Sequence, residues 1–143
     1  MQKTLISAIL IALFSLSLPS HAHDKRHEGD TSGTAEHNEQ VEQRMKKMQH
    51  AYKKAVRSQT IAQMKPAVAQ LIALSKQATA MRYGNNPIER ADYKDGMHEL
   101  QADLDELENA VQANNLPLAR KILTEQIKAT RNQSHEKLGV DED

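Results

Sequence analysis

Thioether sulfur and imidazole nitrogen are the distinctive donor groups of this 143-residue chain, which holds six methionines, seven histidines and no cysteine. Without thiols there are no disulfides, no Cys-based zinc or iron–sulfur sites and no covalently attached c-type haem. Hydrolytic chemistry is no better served. No His-Glu-x-x-His, Gly-x-Ser-x-Gly or Gly-rich phosphate loop occurs, and no nucleophile–base pair can be assembled, so the chain is not expected to be an enzyme. A di-iron bundle needs Glu-x-x-His on two helices. No Glu stands three residues before any His here, and Asp95-Gly96-Met97-His98 is the nearest approach.

The methionines sit in stretches with helical periodicity. From Val41 the apolar positions run Val41, Met45, Met48, Tyr52 and Ala55, one face of a helix, while Lys46, Lys47, Lys53, Lys54 and Arg57 fall elsewhere on the wheel. His50, about 140° from Met45, is placed toward solvent. Thr60-Ile61-Ala62-Gln63 fits a capping box ahead of a second helix with Met64, Val68, Leu71, Ile72, Leu74, Ala78 and Met81. Pro66 removes an N–H and crowds the preceding turn, so that helix either begins nearer Pro66 or bends there. Beyond the break at Arg82 to Asn86, the cap Asn86, Pro87 and Glu89 predict a third helix bearing Tyr93, Met97, Leu100, Leu104, Leu107 and Val111. Gly96 weakens it by up to ~1 kcal/mol against alanine and suggests a close approach to its backbone. After the turn Asn114 to Pro117, a fourth helix runs to about Leu138-Gly139 and buries Ala119, Ile122, Leu123 and Ile127. Loops of about 2–8 residues favour antiparallel neighbours. The expected fold is all-α, an antiparallel up-down-up-down four-helix bundle.

In that topology Met45, Met48, Met81, Met97 and His135 share one end of the bundle, with Ala78, Tyr93, Gly96, Ile127 and Arg131. The other end holds plain aliphatics such as Leu104, Leu107, Val111 and Leu123. Methionine at helical spacing commonly fills a core, and a histidine near a helix C-terminus suits the dipole. The pair carries a second reading. His135 lies about 80° round the helix from Ile127, on the rim of the apolar stripe, where a bulky group entering from the open end would meet it. A thioether and an imidazole from the two helices that close the bundle are the axial set of a low-spin, electron-transfer haem. Both readings stand at this point. The acidic run Asp103, Asp105, Glu106 and Glu108 reads as a solvated helix face.

Residues 1–22 have the three parts of a secretory signal peptide, with a short positive start, an apolar stretch from Leu5 to Leu18 and a cut after Ala22. Export to the periplasm is expected. His23 to Gln40 contains no Leu, Ile, Val, Met or aromatic residue and is expected to stay mobile. Its His23, His27 and His37 could chelate a divalent ion. The bundle domain is then assigned to residues 41–143. Lys+Arg and Asp+Glu number 19 each, and residues 1–22 hold only Lys3, which leaves a net charge of −1 after removal. That balance argues against nucleic acid as a partner and against membrane association once the signal is gone.

The stretch from Met45 to Leu71 (MKKMQHAYKKAVRSQTIAQMKPAVAQL), with Arg131-Asn132-Gln133-Ser134-His135, resembles the soluble cytochrome b-562 family of periplasmic four-helix haem proteins. The likeness covers roughly residues 41–138. It implies one non-covalent haem b per chain, with Met45 and His135 as iron ligands. It also implies Tyr93 and Met97 at positions where the family often has aromatic rings against the macrocycle; here the second is a thioether. The loop between the second and third helices is shorter than in the family pattern. Met48, one turn from Met45 and the alternative thioether for the iron, and Arg131, in the closing motif, complete the expected cofactor-binding set. The implied function is electron transfer by a monomer working with redox partner proteins. The alternative is a haem-free periplasmic helical module that binds metal or partner proteins.

Overall fold

The computed structural model describes residues 31–140; the expected signal peptide, and His23 and His27 of the polar tail, lie outside them. The elements are α1 (Thr31–Arg57), α2 (Ile61–Thr79), α3 (Pro87–Gln112), α4 (Leu116–Lys121), a π-helical segment (Ile122–Ile127) and α5 (Lys128–Leu138). The last three run on as one fourth rod. α1 packs on α2, α2 on α3, and α3 on the fourth rod, while α1 meets that rod at the π segment. This is the expected all-α, up-down-up-down four-helix bundle, with no strand among the described residues.

Local chemistry accounts for the helix boundaries. The Thr60 hydroxyl accepts from the Gln63 amide (3.2 Å), and Gln63 Oε1 accepts from the Gln59 amide (2.9 Å), one residue earlier than the usual reciprocal arm of a capping box. α2 begins at Ile61 and continues through Pro66, so the alternative start nearer the proline is not adopted. The proline is exposed while Met64, Ala67 and Val68 are buried around it, and their packing offsets the missing hydrogen bond. Asn86 Oδ1 accepts from the amides of Ile88 and Glu89 (3.0 and 2.9 Å), with Pro87 just inside the helix. Gly84 at φ +107° lets the preceding loop fold against α3, where a Cβ would stand 2.8 Å from Glu89 Cβ.

Two features depart from expectation. α1 starts at Thr31, so residues 31–40, read from sequence as mobile, are helical. The anchor is polar: Asn38 donates to Asn85 Oδ1 and accepts from the Gly84 amide, both at 3.1 Å, tying the early turns to the α2–α3 loop. Apolar periodicity carries no trace of such a contact. The second departure is the π segment, which interrupts what the sequence predicts as one regular fourth helix. The core runs the length of the bundle, and Leu104, Leu107 and Leu123 at its aliphatic end are fully buried.

Candidate functional site

Three cross-helix contacts set the level of the candidate residues. Arg44 donates through Nη1 to Gln77 Oε1, which puts the turn of Met45 beside Gln77 and Ala78 of α2. Tyr93 of α3 donates to the Ala78 carbonyl at 2.6 Å. One turn on, Gly96 faces α5 so closely that a Cβ would stand 2.4 Å from Ser134 Oγ and 3.1 Å from Ser134 Cβ. Met45, Tyr93, Met97 and His135 are thereby drawn to the same end of the molecule. The close approach suggested by Gly96 is made by Ser134, the residue before His135.

Burial separates the members of this layer. Met48, Tyr93 and Met97 are buried in the core, with Met45 and Met81 packed against it. Arg131 and His135 are half-buried, and His135 Nδ1 is shielded from solvent. The Arg131 guanidinium donates from Nε and Nη2 to Asn132 Oδ1 (3.2 and 3.0 Å). A Schellman motif holds the end of α5: Gly139 adopts φ 63°, and the Val140 amide donates to the His135 carbonyl at 3.0 Å. The closing turn is capped where the fading apolar stripe alone would leave it to fray.

The fourth rod reaches this layer with the help of its π segment. Ala119, Leu123, Ile127, Arg131 and His135 are spaced by four. In an unbroken α-helix each such step drifts about 40°, so His135 would end about 160° from Ala119. A turn with i→i+5 pairing takes up an additional residue and brings later positions back by about 100°. Arg131 and His135 stand half-buried on the rod beyond it. Tyr52 of α1 donates to the Leu123 carbonyl at 2.8 Å, a side-chain bond into that segment. Its hydroxyl pKa is raised by burial, with the Arg131 charge acting in the opposite direction. Beyond the Tyr52–Leu123 contact, α1 and α5 have almost no close backbone approach, whereas the other three sides of the bundle are packed.

The chain matches the family model for cytochrome b562 over residues 40–138. It belongs to the cytochrome b562 family. That family is one of haem-binding, electron-transfer helical proteins. No curated protein matches the chain. A haem of the cytochrome b562 kind needs a gap between helices, apolar walls and two donors to iron. The α1–α5 side, where the two helices make almost no close backbone approach, the buried Met48, Tyr93 and Met97, and the thioether and imidazole of Met45 and His135 suit those needs. The residues present fit the group.

Other candidate chemistry finds less support in this cytochrome b562 bundle. His37 and His50 are exposed on α1. Among the described residues no group of three His, Cys, Asp or Glu side chains could hold a metal ion. No described helix is long and apolar enough to cross a membrane.

Sequence reasoning missed the partners of the tyrosines. Tyr83 and Tyr93 pack with ring centroids 5.4 Å apart at 42°. Burial, and secondarily Tyr83, push the Tyr93 pKa from 10.0 to about 12. The neutral hydroxyl holds the proton it donates to Ala78. Because the folded pKa lies above the unfolded one, the stabilisation is complete below pH 10 and is lost as pH climbs toward 12. Alkaline unfolding should therefore steepen across that interval. Tyr93→Phe is expected to flatten the slope, which chemical denaturation at a series of pH values would detect.

Proposed function

We propose that this cytochrome b562 family member is a periplasmic one-electron carrier holding one non-covalent b-type haem between Met45 and His135. The observation that carries the reading is that a thioether on α1 and an imidazole on α5 stand half-buried at the same end of the bundle, on two helices with almost no close backbone approach to each other. Met45 and His135 would hold the iron of a haem bound there, and the group would supply one-electron exchange. His135 supplies a nitrogen lone pair from a capped, shielded helix end. Met45 supplies a thioether, which favours a higher potential than a second imidazole would. Met48, Tyr93 and Met97 exclude water from the walls. Arg131 would supply a guanidinium to pair a carboxylate of the bound group. The signal-peptide pattern of residues 1–22 supports the periplasmic reading.

The test is titration of the full chain with hemin, followed by spectroscopy and potentiometry. A tight one-to-one complex with a low-spin spectrum is expected. Met45→Ala should shift that spectrum to high-spin and lower the reduction potential. An unchanged spectrum and potential in both Met45→Ala and His135→Ala would remove these residues from the iron.

A further inference from the structure

We infer that the outward face of α1 is a docking surface for an acidic protein partner. This rests on the electron-carrier reading only in making that partner a redox protein. Between Glu42 and Glu89 the chain contains no acidic residue. Within that interval Lys46, Lys47, His50, Lys53, Lys54 and Arg57 of α1 are all exposed. At 100° per residue they fall within an arc of about 120°, centred roughly 140° from Met45. Four of them line a groove at the α1–α2 corner together with Ser58 and Gln63. α3 has the opposite character, with eight Asp and Glu against two Arg and Lys.

The helix dipole does not explain the arrangement. It favours cations in the last turn, where Lys54 and Arg57 stand, and falls off beyond it. Lys46 and Lys47 lie outside its reach. Like charges one turn apart, such as Lys53 and Arg57, each cost a helix about 0.2–0.5 kcal/mol. That cost runs against the gain that Lys54 and Arg57 draw from the dipole, so helix stability does not account for the whole face. Its location gives it a use: it is the outer side of the helix that carries Met45, so a seated partner is separated from the site by about one helix diameter, ~10–12 Å.

Three other occupants suit the face less well. A lipid surface would be held by charge alone, because the exposed large apolar residues Ile88, Leu118 and Val140 that could anchor it all lie off α1 and α2. A second copy would have to offer its acidic α3. Since α1 and α3 are diagonal in the bundle, basic-on-acidic pairing would propagate as an open array and not close into a dimer. Nucleic acid is disfavoured by the balanced total charge.

The experiment uses the full chain labelled for amide spectroscopy, with a strongly acidic plant-type ferredoxin as the probe. Chemical-shift changes are expected along α1 and the start of α2, fading as salt is raised. Electron exchange with the haem-loaded protein should slow with salt in parallel. Reversing Lys53, Lys54 and Arg57 to Glu should lower association by about tenfold or more, since steering of this kind is worth 10–1,000-fold in on-rate. Their replacement by Gln should give an intermediate loss, and reversal of the remote Lys128 should change little. Shifts mapping to another face, or a rate independent of salt, would overturn the inference. Stronger binding to phosphatidylglycerol vesicles than to ferredoxin, or salt-sensitive self-association in sedimentation, would also overturn it. The shift mapping works without haem, so a failed hemin titration with intact ferredoxin shifts would sink the carrier reading and leave the docking face standing.

Discussion

Hemin added to the His135→Ala variant is expected to bind at least about a hundredfold more weakly than to the parent chain. Groups that merely orient a metal ligand already contribute 10–100-fold in affinity, so loss of the ligand itself falls at or beyond the upper figure. A hundredfold corresponds to about 2.7 kcal/mol. His135 is half-buried, and its carbonyl is held by the Val140 amide through the backbone. Truncating the side chain leaves that cap in place, so helix content and cooperative unfolding should persist. Retained affinity in a folded variant would move the site elsewhere. The Met45→Ala variant should lose less affinity, because a neutral thioether is the weaker donor. The two variants thus differ in kind as well as in size.

Gly96→Val is expected to be the most damaging single change near the site. Even an alanine there would set its Cβ 3.1 Å from Ser134 Cβ, and valine adds two methyl groups at that carbon. Overpacking of this kind costs about 1–3 kcal/mol. Better helix propensity returns at most ~1 kcal/mol for alanine and less for a β-branched residue. For Gly96→Ala rotation of the Ser134 hydroxyl away from the new Cβ relieves part of the clash, and the net loss is small; for valine the clash wins. α5 must move away from α3, carrying His135 with it, while its other tie to α3, the Thr130 hydroxyl bond to Asp103 Oδ2 at 2.6 Å, resists the displacement. Denaturant melts should show the loss, and Ser134→Gly in the same chain should recover much of it. A valine variant as stable as the parent would mean that α3 and α5 are not held at this distance.

Much of this arrangement was readable in the residues. Met45, Met48, Met97 and His135 could be assigned to one end because each helix announced itself through an apolar stripe and a cap, and short loops force antiparallel packing. Asn86-Pro87 and Thr60 mark helix starts through chemistry that acts within four residues. What escaped notice acts across the fold. The Asn38 clamp joins residues 46 positions apart and uses only polar groups, so α1 extends beyond its apolar stripe. Ser134 is ordinary until Gly96 lies opposite it. Tyr52 looked like one more core residue, although a tyrosine in a buried stripe must find an acceptor for its hydroxyl. The π segment contains no residue type that marks it, since Ile122 to Ile127 would serve equally well in a regular helix.

A broad turn in the middle of the fourth rod also decides where the chain can change length. Thr124, Glu125 and Gln126 are exposed within it. Deleting one of them would let the backbone tighten to ordinary pitch while both flanks stay in phase. The same deletion between Lys128 and His135 would swing the imidazole by about 100°. Spare length is therefore stored upstream of the ligand, in a stretch of that rod where a deletion leaves the aim of the closing residues intact.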